Sequence, residues 1–197
     1  MGGSMNGLGN SNRTAEFNMK YDPESAFIVF QSSSKLSDIA RRPLITIVPW
    51  ETTLNHSLSW SFLEELRLSK SDKSYFLDCI TNLSRTFKDP TPEKSNPWKG
   101  DKLDNHKRQL NSFLLPDIYA VIACLYPTSI ERYDPWSVKI ELQGIETRGM
   151  THVNWTSPDD CPNAKIITEM NMPFIKRVMM DCFSDINWPL QANQNQV

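Results

Sequence analysis

The chain has 197 residues, 39% of them hydrophobic, with 21 basic and 23 acidic side chains and a formal charge of −2. That is enough apolar material for one compact core, and no basic run is present that would follow a phosphate backbone, so no nucleic-acid partner is expected. No stretch reaches the roughly 18 apolar residues of a membrane-spanning helix, and Met1 to Thr14 is rich in Gly, Asn and Ser, so no membrane partner is expected either.

In chain order, Met1 to Thr14 reads as a loop, and the first firm helix signal is Asp22-Pro23-Glu24 followed by Ala26, Phe27, Val29 and Phe30. Asp as N-cap, Pro at N1 and Glu in the first turn suit the unpaired amides and the positive end of the helix dipole. A Ser-rich turn is expected next, and then Leu44 to Val48, a β-branched run that reads as a buried strand in the sheet interior. About Leu58 to Leu68 and about Asp72 to Phe87 read as an amphipathic helix pair, the second carrying Tyr75, Phe76, Cys79, Ile80, Leu83 and Phe87 at helical spacing.

Lys88 to Asp104, with Pro90, Pro92 and Pro97, reads as an irregular surface loop in which Trp98 is a packing anchor or a lid contact. Pro116-Asp117 opens a buried helix over Ile118 to Leu125, stopped by Pro127. Val138 to Leu142 and Ala164 to Thr168 read as strands, and Asn171 with Pro173 opens a last helix through Phe183. Strands alternating with helices, without an internal repeat, predict an α/β layered sheet.

Cys79, Cys124, Cys161 and Cys182 are far apart and are expected to be free, buried thiols. Sequons at Asn12, Asn55, Asn82 and Asn154 matter only if the chain is secreted, so the compartment stays open.

The residues with chemical potential are few. Asn10, Glu16 and Asn18 surround Phe17 beside a Gly-rich loop; a carboxylate and two amides next to an aromatic ring suit the hydroxyls of a sugar, and they equally suit a turn that caps its own backbone. Asp117 is either a helix cap or one ligand of a metal, and Ca²⁺ needs about six to eight oxygens, hence further carboxylates. Asp159-Asp160 lacks further ligands nearby, and His56, His106 and His152 show no zinc or triad spacing, so they read as surface or packing residues.

Taken together, Met1-Gly2-Gly3, Gly9-Asn10, Ala15-Glu16-Phe17-Asn18 and Asp22-Pro23-Glu24-Ser25-Ala26 resemble, in order and spacing, a signature of the inosine-uridine preferring nucleoside hydrolases. Pro116-Asp117 with Ala120-Val121, Thr147-Arg148-Gly149 with Met150 to Trp155, and Pro162-Asn163-Ala164 continue the resemblance over essentially the whole chain. It implies an open, mostly parallel α/β sheet with helices on both faces, and hydrolysis of the N-glycosidic bond of a ribonucleoside to ribose and free base. By the same resemblance Asn10, Glu16 and Asn18 hold ribose hydroxyls, Phe17 packs beside the sugar, and Asp117 is one ligand of a Ca²⁺ ion. A homo-oligomer, dimer or tetramer, is the family expectation.

The departures set further expectations. The family's aspartate-rich metal cluster, which also supplies the catalytic base, lies ahead of the segment that Met1 begins, so residues 1–197 are expected to be a partial nucleoside hydrolase domain, its C-terminal portion, inactive alone and dependent on a partner segment. Pro116 stands where many purine-acting members carry a His that protonates the leaving base, and Asn154 replaces an Asp. Two functions follow: part of a working ribonucleoside hydrolase, or a catalytically silent protein retained for nucleoside binding or interaction.

Overall fold

A computed structural model describes residues 1–40, 42–69, 71–86, 112–156 and 162–184. Trp98 and its loop, His106, Asp159-Asp160 and Cys161 lie outside the described residues. The chain divides into two compact units, one of Met1–His56 with Leu115–Asn171 and the other of Ser57–Leu114 with Met172–Val197.

In the first unit, α1 (Phe17–Tyr21) and α2 (Pro23–Ala40) precede β1 (Ile45–Ile47) and α3 (Trp50–Asn55). Asp22 separates the two helices and caps the second, its Oδ1 accepting from Ser25 N–H at 2.9 Å and its Oδ2 from the Ser25 hydroxyl at 2.7 Å, so the sequence signal at Asp22-Pro23-Glu24 is realised. The expected Ser-rich turn is instead helix. Two of the serine hydroxyls find partners compatible with helical backbone: Ser33 donates to Asn163 O at 3.0 Å, and Ser34 to Phe30 O one turn back at 3.0 Å.

After α6 (Pro116–Leu125) and a 3₁₀ turn (Pro127–Ser129) come β4 (Ile130–Trp136), β5 (Val138–Ile140), β6 (Thr151–Val153) and β7 (Ala164–Met170). The α/β class is as expected, in a mixed form: the sheet order is β1-β7-β4, β1 running parallel to β7 and β4 antiparallel to it. β1 is therefore not the interior strand. The seven-residue β7 takes the middle, because its apolar positions Ala164, Ile166, Ile167 and Met170 are buried. β5 and β6 form a separate antiparallel pair. Sequence reading had no strand at β4, where charges and Pro135 interrupt any apolar alternation; it is solvated throughout and shifts register around Arg132.

Met5, Phe30, Ile47, Val138, Ile140, Val153, Ala164 and Ile166 form the core of this unit. Asn163 lies within it, fully buried and fully satisfied: Oδ1 accepts from Val138 N–H at 2.8 Å while Nδ2 donates to Ser34 Oγ at 2.8 Å, Val138 O at 2.9 Å and Phe30 O at 3.2 Å. One amide thus ties α2, β5 and the start of β7 together, and the burial of four polar contacts is compensated bond by bond. Helix α6 starts with Pro116 at N1 after Leu115 as N-cap, and only one of its faces is buried, through Tyr119, Ile122 and Ala123, while Val121 and Leu125 are exposed. Burial raises the pKa of Tyr119, whose hydroxyl donates to His56 O at 2.5 Å.

The second unit contains β2 (Leu58–Ser59), α4 (Trp60–Arg67), α5 (Asp72–Thr86), β3 (Ser112–Phe113) and α7 (Met172–Phe183). Ser59 caps α4, accepting from Phe62 N–H at 3.2 Å, and Leu58, Leu63, Leu66, Leu77, Ile175 and Met179 are buried. Among the described side chains of α5, Ser74 and Leu77 are buried, whereas Tyr75 and Phe76, expected on the core face, are 76% and 69% exposed. The rotation follows from two polar anchors: Ser71 Oγ donates to Phe183 O at 2.6 Å and Lys73 Nζ to Cys182 O at 2.9 Å. The described cysteines are free thiols as expected, but Cys79 and Cys124 are exposed rather than buried.

Candidate functional site

The polar residues singled out in the sequence meet in one turn of the first unit. Gly2 and Gly3 run beside the end of β1, with Gly2 N–H donating to Val48 O at 3.1 Å and Trp50 N–H donating to Gly3 O at 2.9 Å. Glu16, only 1% exposed, is the N-cap of α1: its Oε2 accepts from Asn18 N–H and from Gly3 N–H, both at 3.0 Å. A carboxylate at this end complements both the free amides and the dipole.

Asn10 Oδ1 accepts from Phe17 N–H at 2.8 Å, and Asn18 Nδ2 donates to Met1 O at 3.3 Å. Asn12 closes the intervening loop by accepting from Thr14 and Ala15 N–H. Gly9 is required here, because a Cβ would collide with the carbonyls of Asn12 and Ala15 and come within 2.6 Å of Ala15 N. The side chains of Asn10, Phe17 and Asn18 remain at the surface, and the Phe17 ring sits 5.0 Å from that of Tyr21 at 41°, forming a tilted aromatic shelf beside two amides.

So both readings of the turn have physical content. Glu16 is consumed by backbone capping, while Asn10, Phe17 and Asn18 are exposed, Asn18 with its Nδ2 engaged by Met1 O. Asp117 is not drawn into this network; it is exposed at the second position of α6, and it is not the N-cap, a place taken by Leu115 without side-chain capping. His56 is a packing residue as expected: Nδ1 lies 2.7 Å from Thr52 O, and Nε2 accepts from Met170 N–H at 3.1 Å. With Nε2 as acceptor, Nδ1 is left as the donor to Thr52 O. His152 is exposed on β6.

Two features escaped the sequence reading. Glu51 Oε1 accepts from Ser4 Oγ at 2.8 Å and Asn6 N–H at 2.9 Å, fixing the Gly-rich loop over α3; in the sequence its signal is an acidic residue two positions after Pro49. Beside it opens a cleft of about 460 Å³ lined by Asn6, Glu51, Asp134, Trp136, Trp155 and Thr168, with the two indoles in edge contact at 5.0 Å. Arg148, in the Thr147-Arg148-Gly149 run, pairs with Glu24 on α2, and that hydrogen bond holds the Glu24 carboxyl below its ordinary pKa.

The Gly-rich turn, capped by a buried carboxylate, belongs to the same unit as the mixed sheet, and among the described residues no helix is long and apolar enough to cross a membrane. Residues 1–177 match the model of the family described as inosine-uridine preferring nucleoside hydrolase, and the chain belongs to that family. Among solved structures it is similar to an inosine-guanosine nucleoside hydrolase (25% identity, TM-score 0.72, covering 92% of this chain and 49% of that one). It is also similar in fold to a purine-preferring ribonucleoside hydrolase from Gardnerella vaginalis (22% identity, TM-score 0.67, 93% and 50% covered). A plant nucleoside hydrolase gives 21% identity and a TM-score of 0.69, with 93% and 52% covered. Among curated proteins no match is found. The chain spans about half the length of the solved relatives it matches.

Proposed function

We propose that this chain is the ribose-binding part of a ribonucleoside hydrolase. The reaction adds water across the N-glycosidic bond, the hydroxyl going to the anomeric carbon and the proton to the departing base nitrogen. The observation that carries the reading is the turn itself: within a chain matching the nucleoside hydrolase family, Asn10, Phe17 and Asn18 present two amides and an aromatic face together, on a backbone that Glu16 clamps from beneath. The amides suit vicinal hydroxyls, and the ring suits the apolar face of the sugar. Because the clamp is preformed, little ordering is left for the substrate to drive.

A Ca²⁺ ion belongs to the family expectation, with Asp117 as one ligand. Among the described residues there is no group of three or more His, Cys, Asp or Glu that could hold a metal, so the donors present do not fit the ion, which takes about six to eight oxygens. Activity therefore requires ligands beyond those described, and the chain by itself is expected to bind ribose without hydrolysing nucleosides. This also favours, as a second reading, a silent nucleoside-binding protein. An exposed apolar stripe on α2, Ile28, Leu36 and Ile39, supports assembly of the protein into a dimer or tetramer.

The test is ribose release from inosine and uridine with Ca²⁺, for this chain alone and for the chain joined to the half of a family member that its match leaves uncovered. Release only from the joined form supports the hydrolase reading. Silence in both forms, with ribose binding retained, would leave the binding protein.

A further inference from the structure

We propose that the cleft beside Glu51 is a binding site for a guanidinium group, separate from the turn of Asn10, Phe17 and Asn18, none of which lines it. The site is built on one face of the sheet. Asp134 and Trp136 are alternate residues of β4, in regular register with Ile166 and Ala164 of β7. Their side chains therefore leave the same side of the strand, roughly 7 Å apart. Ile166, opposite Asp134, lines the same cleft and is buried. Across from them Trp155, just past the end of β6, brings its ring to 5.0 Å from that of Trp136 at 67°. Such an edge contact leaves the faces of one indole uncovered by the other, and Trp155 is 52% exposed.

The charges around the cleft do not balance. Arg132 is already committed, with Nη2 at 2.9 Å from Glu169 Oε1 and Nε donating to Thr168 Oγ1 at 3.1 Å. His56 has both ring nitrogens engaged by backbone. Glu51 and Asp134 are left without a cationic side chain as partner among the described residues. Glu51 takes both of its hydrogen bonds on Oε1, and its Oε2 is buried with no partner. A carboxylate oxygen short of a bond in the wall of a cleft makes the potential there negative, and a cation seated nearby offsets it. Two uncompensated carboxylates beside an indole face select a cation over a neutral sugar. Among organic cations they favour guanidinium over ammonium, because it is planar and weakly hydrated, and can stack on the ring while its N–H fork meets the Asp134 carboxylate. A volume of about 460 Å³ admits a small guanidino compound or an arginine side chain.

The experiment follows the indole N–H resonances of Trp136 and Trp155, assigned with Trp136→Phe and Trp155→Phe, while the full chain is titrated with ethylguanidinium. Saturable shifts of both are expected, half complete at about millimolar concentration. N-ethylurea has nearly the same shape without the charge and should give none, and ethylammonium should bind at least about threefold more weakly. Asp134→Asn removes a charge from an exposed side chain, so it should leave thermal unfolding unchanged and weaken ethylguanidinium binding about fivefold. A Gly-Arg-Gly peptide blocked at both ends separates the two sources: tighter binding than ethylguanidinium assigns the cleft to an arginine side chain of another protein, and binding no tighter assigns it to a free guanidino compound. The readout lies at Trp136 and Trp155, so it stands or falls apart from ribose binding and hydrolysis. Absence of saturable shifts, an equal response to N-ethylurea or ethylammonium, or unchanged affinity in Asp134→Asn overturns the proposal.

Discussion

Glu16 Oε2 stands 3.0 Å from the amide nitrogen of Gly3, thirteen residues earlier in the chain. This single bond holds the Gly-rich loop against the start of α1, because the same oxygen also accepts from Asn18.

Removing that oxygen should loosen both ends at once. Glu16→Ala leaves two amides without an acceptor in a buried position and is expected to destabilise the protein by about 2–3 kcal/mol. Glu16→Gln, which keeps a carbonyl oxygen, should lose less. Urea unfolding of the two variants decides it, and equal losses would mean that the oxygen is not the anchor.

Gly149 in the Thr147-Arg148-Gly149 run has φ +84°, and a Cβ there would approach Lys20 Cα to 2.9 Å. Gly149→Ala combines left-handed backbone strain with a clash against main chain, so a loss of about 2 kcal/mol or more is expected. A denaturant midpoint equal to that of the parent would contradict this account.

Three carboxylates titrate below their ordinary range: Asp22 through the hydrogen bonds from Ser25, Glu24 through Arg148, and Glu141 through the amides of Gln143 and Gly144. A carboxyl whose folded pKa is depressed stabilises the fold above its unfolded pKa and ceases to do so as pH falls through the folded value. Stability is therefore expected to decline below about pH 4, where unfolded carboxylates already bind protons. Unfolding midpoints across this range should fall less steeply in Asp22→Asn, which has no proton to take up; an identical slope would remove Asp22 from the explanation.

Much of the fold is legible from local chemistry. Asp22-Pro23-Glu24 announces α2, Ala164 to Thr168 announces β7, and Asn171 with Pro173 announces α7, since capping and β-branched runs act within a few residues. The misreadings arise where a distant partner decides. Ser33 and Ser34 look like a turn until Asn163 is seen to engage both, and Tyr75 and Phe76 look like core until Ser71 and Lys73 fix the roll of α5. At the candidate site, Asn10, Glu16, Phe17 and Asn18 are near one another in sequence and could be read together. Glu51, tied to Ser4 across the fold, could not.

Asn163 is the polar position where an apolar substitution should be least tolerated. Asn163→Leu is close in volume yet strips Val138 N–H of its acceptor and Phe30 O and Val138 O of a donor, all in the core. A loss of about 3–5 kcal/mol is expected, enough to threaten folding. Thermal unfolding against the parent measures it, and a drop below about 1 kcal/mol would show those groups finding water instead.

Asn18 should behave in the opposite way. It is exposed, and its amide nitrogen spends its bonds on Met1. In the joined, active form Asn18→Ala is expected to lower kcat/KM about tenfold, as one lost hydrogen bond to the sugar implies, with stability nearly unchanged. Unaltered kinetics would take Asn18 out of the ribose site.

The two margins of the three-stranded sheet are unlike each other. β4 carries Glu131, Arg132 and Asp134, a proline at position 135 and two register shifts, features that resist further pairing; β1 is short, straight in register with β7 and free of charge. Growth of the sheet is therefore polar: it can lengthen past β1 and is stopped at β4. During synthesis or refolding, misassembly of this chain should start at one margin only, and a charge placed at Thr46 is where aggregation would be suppressed.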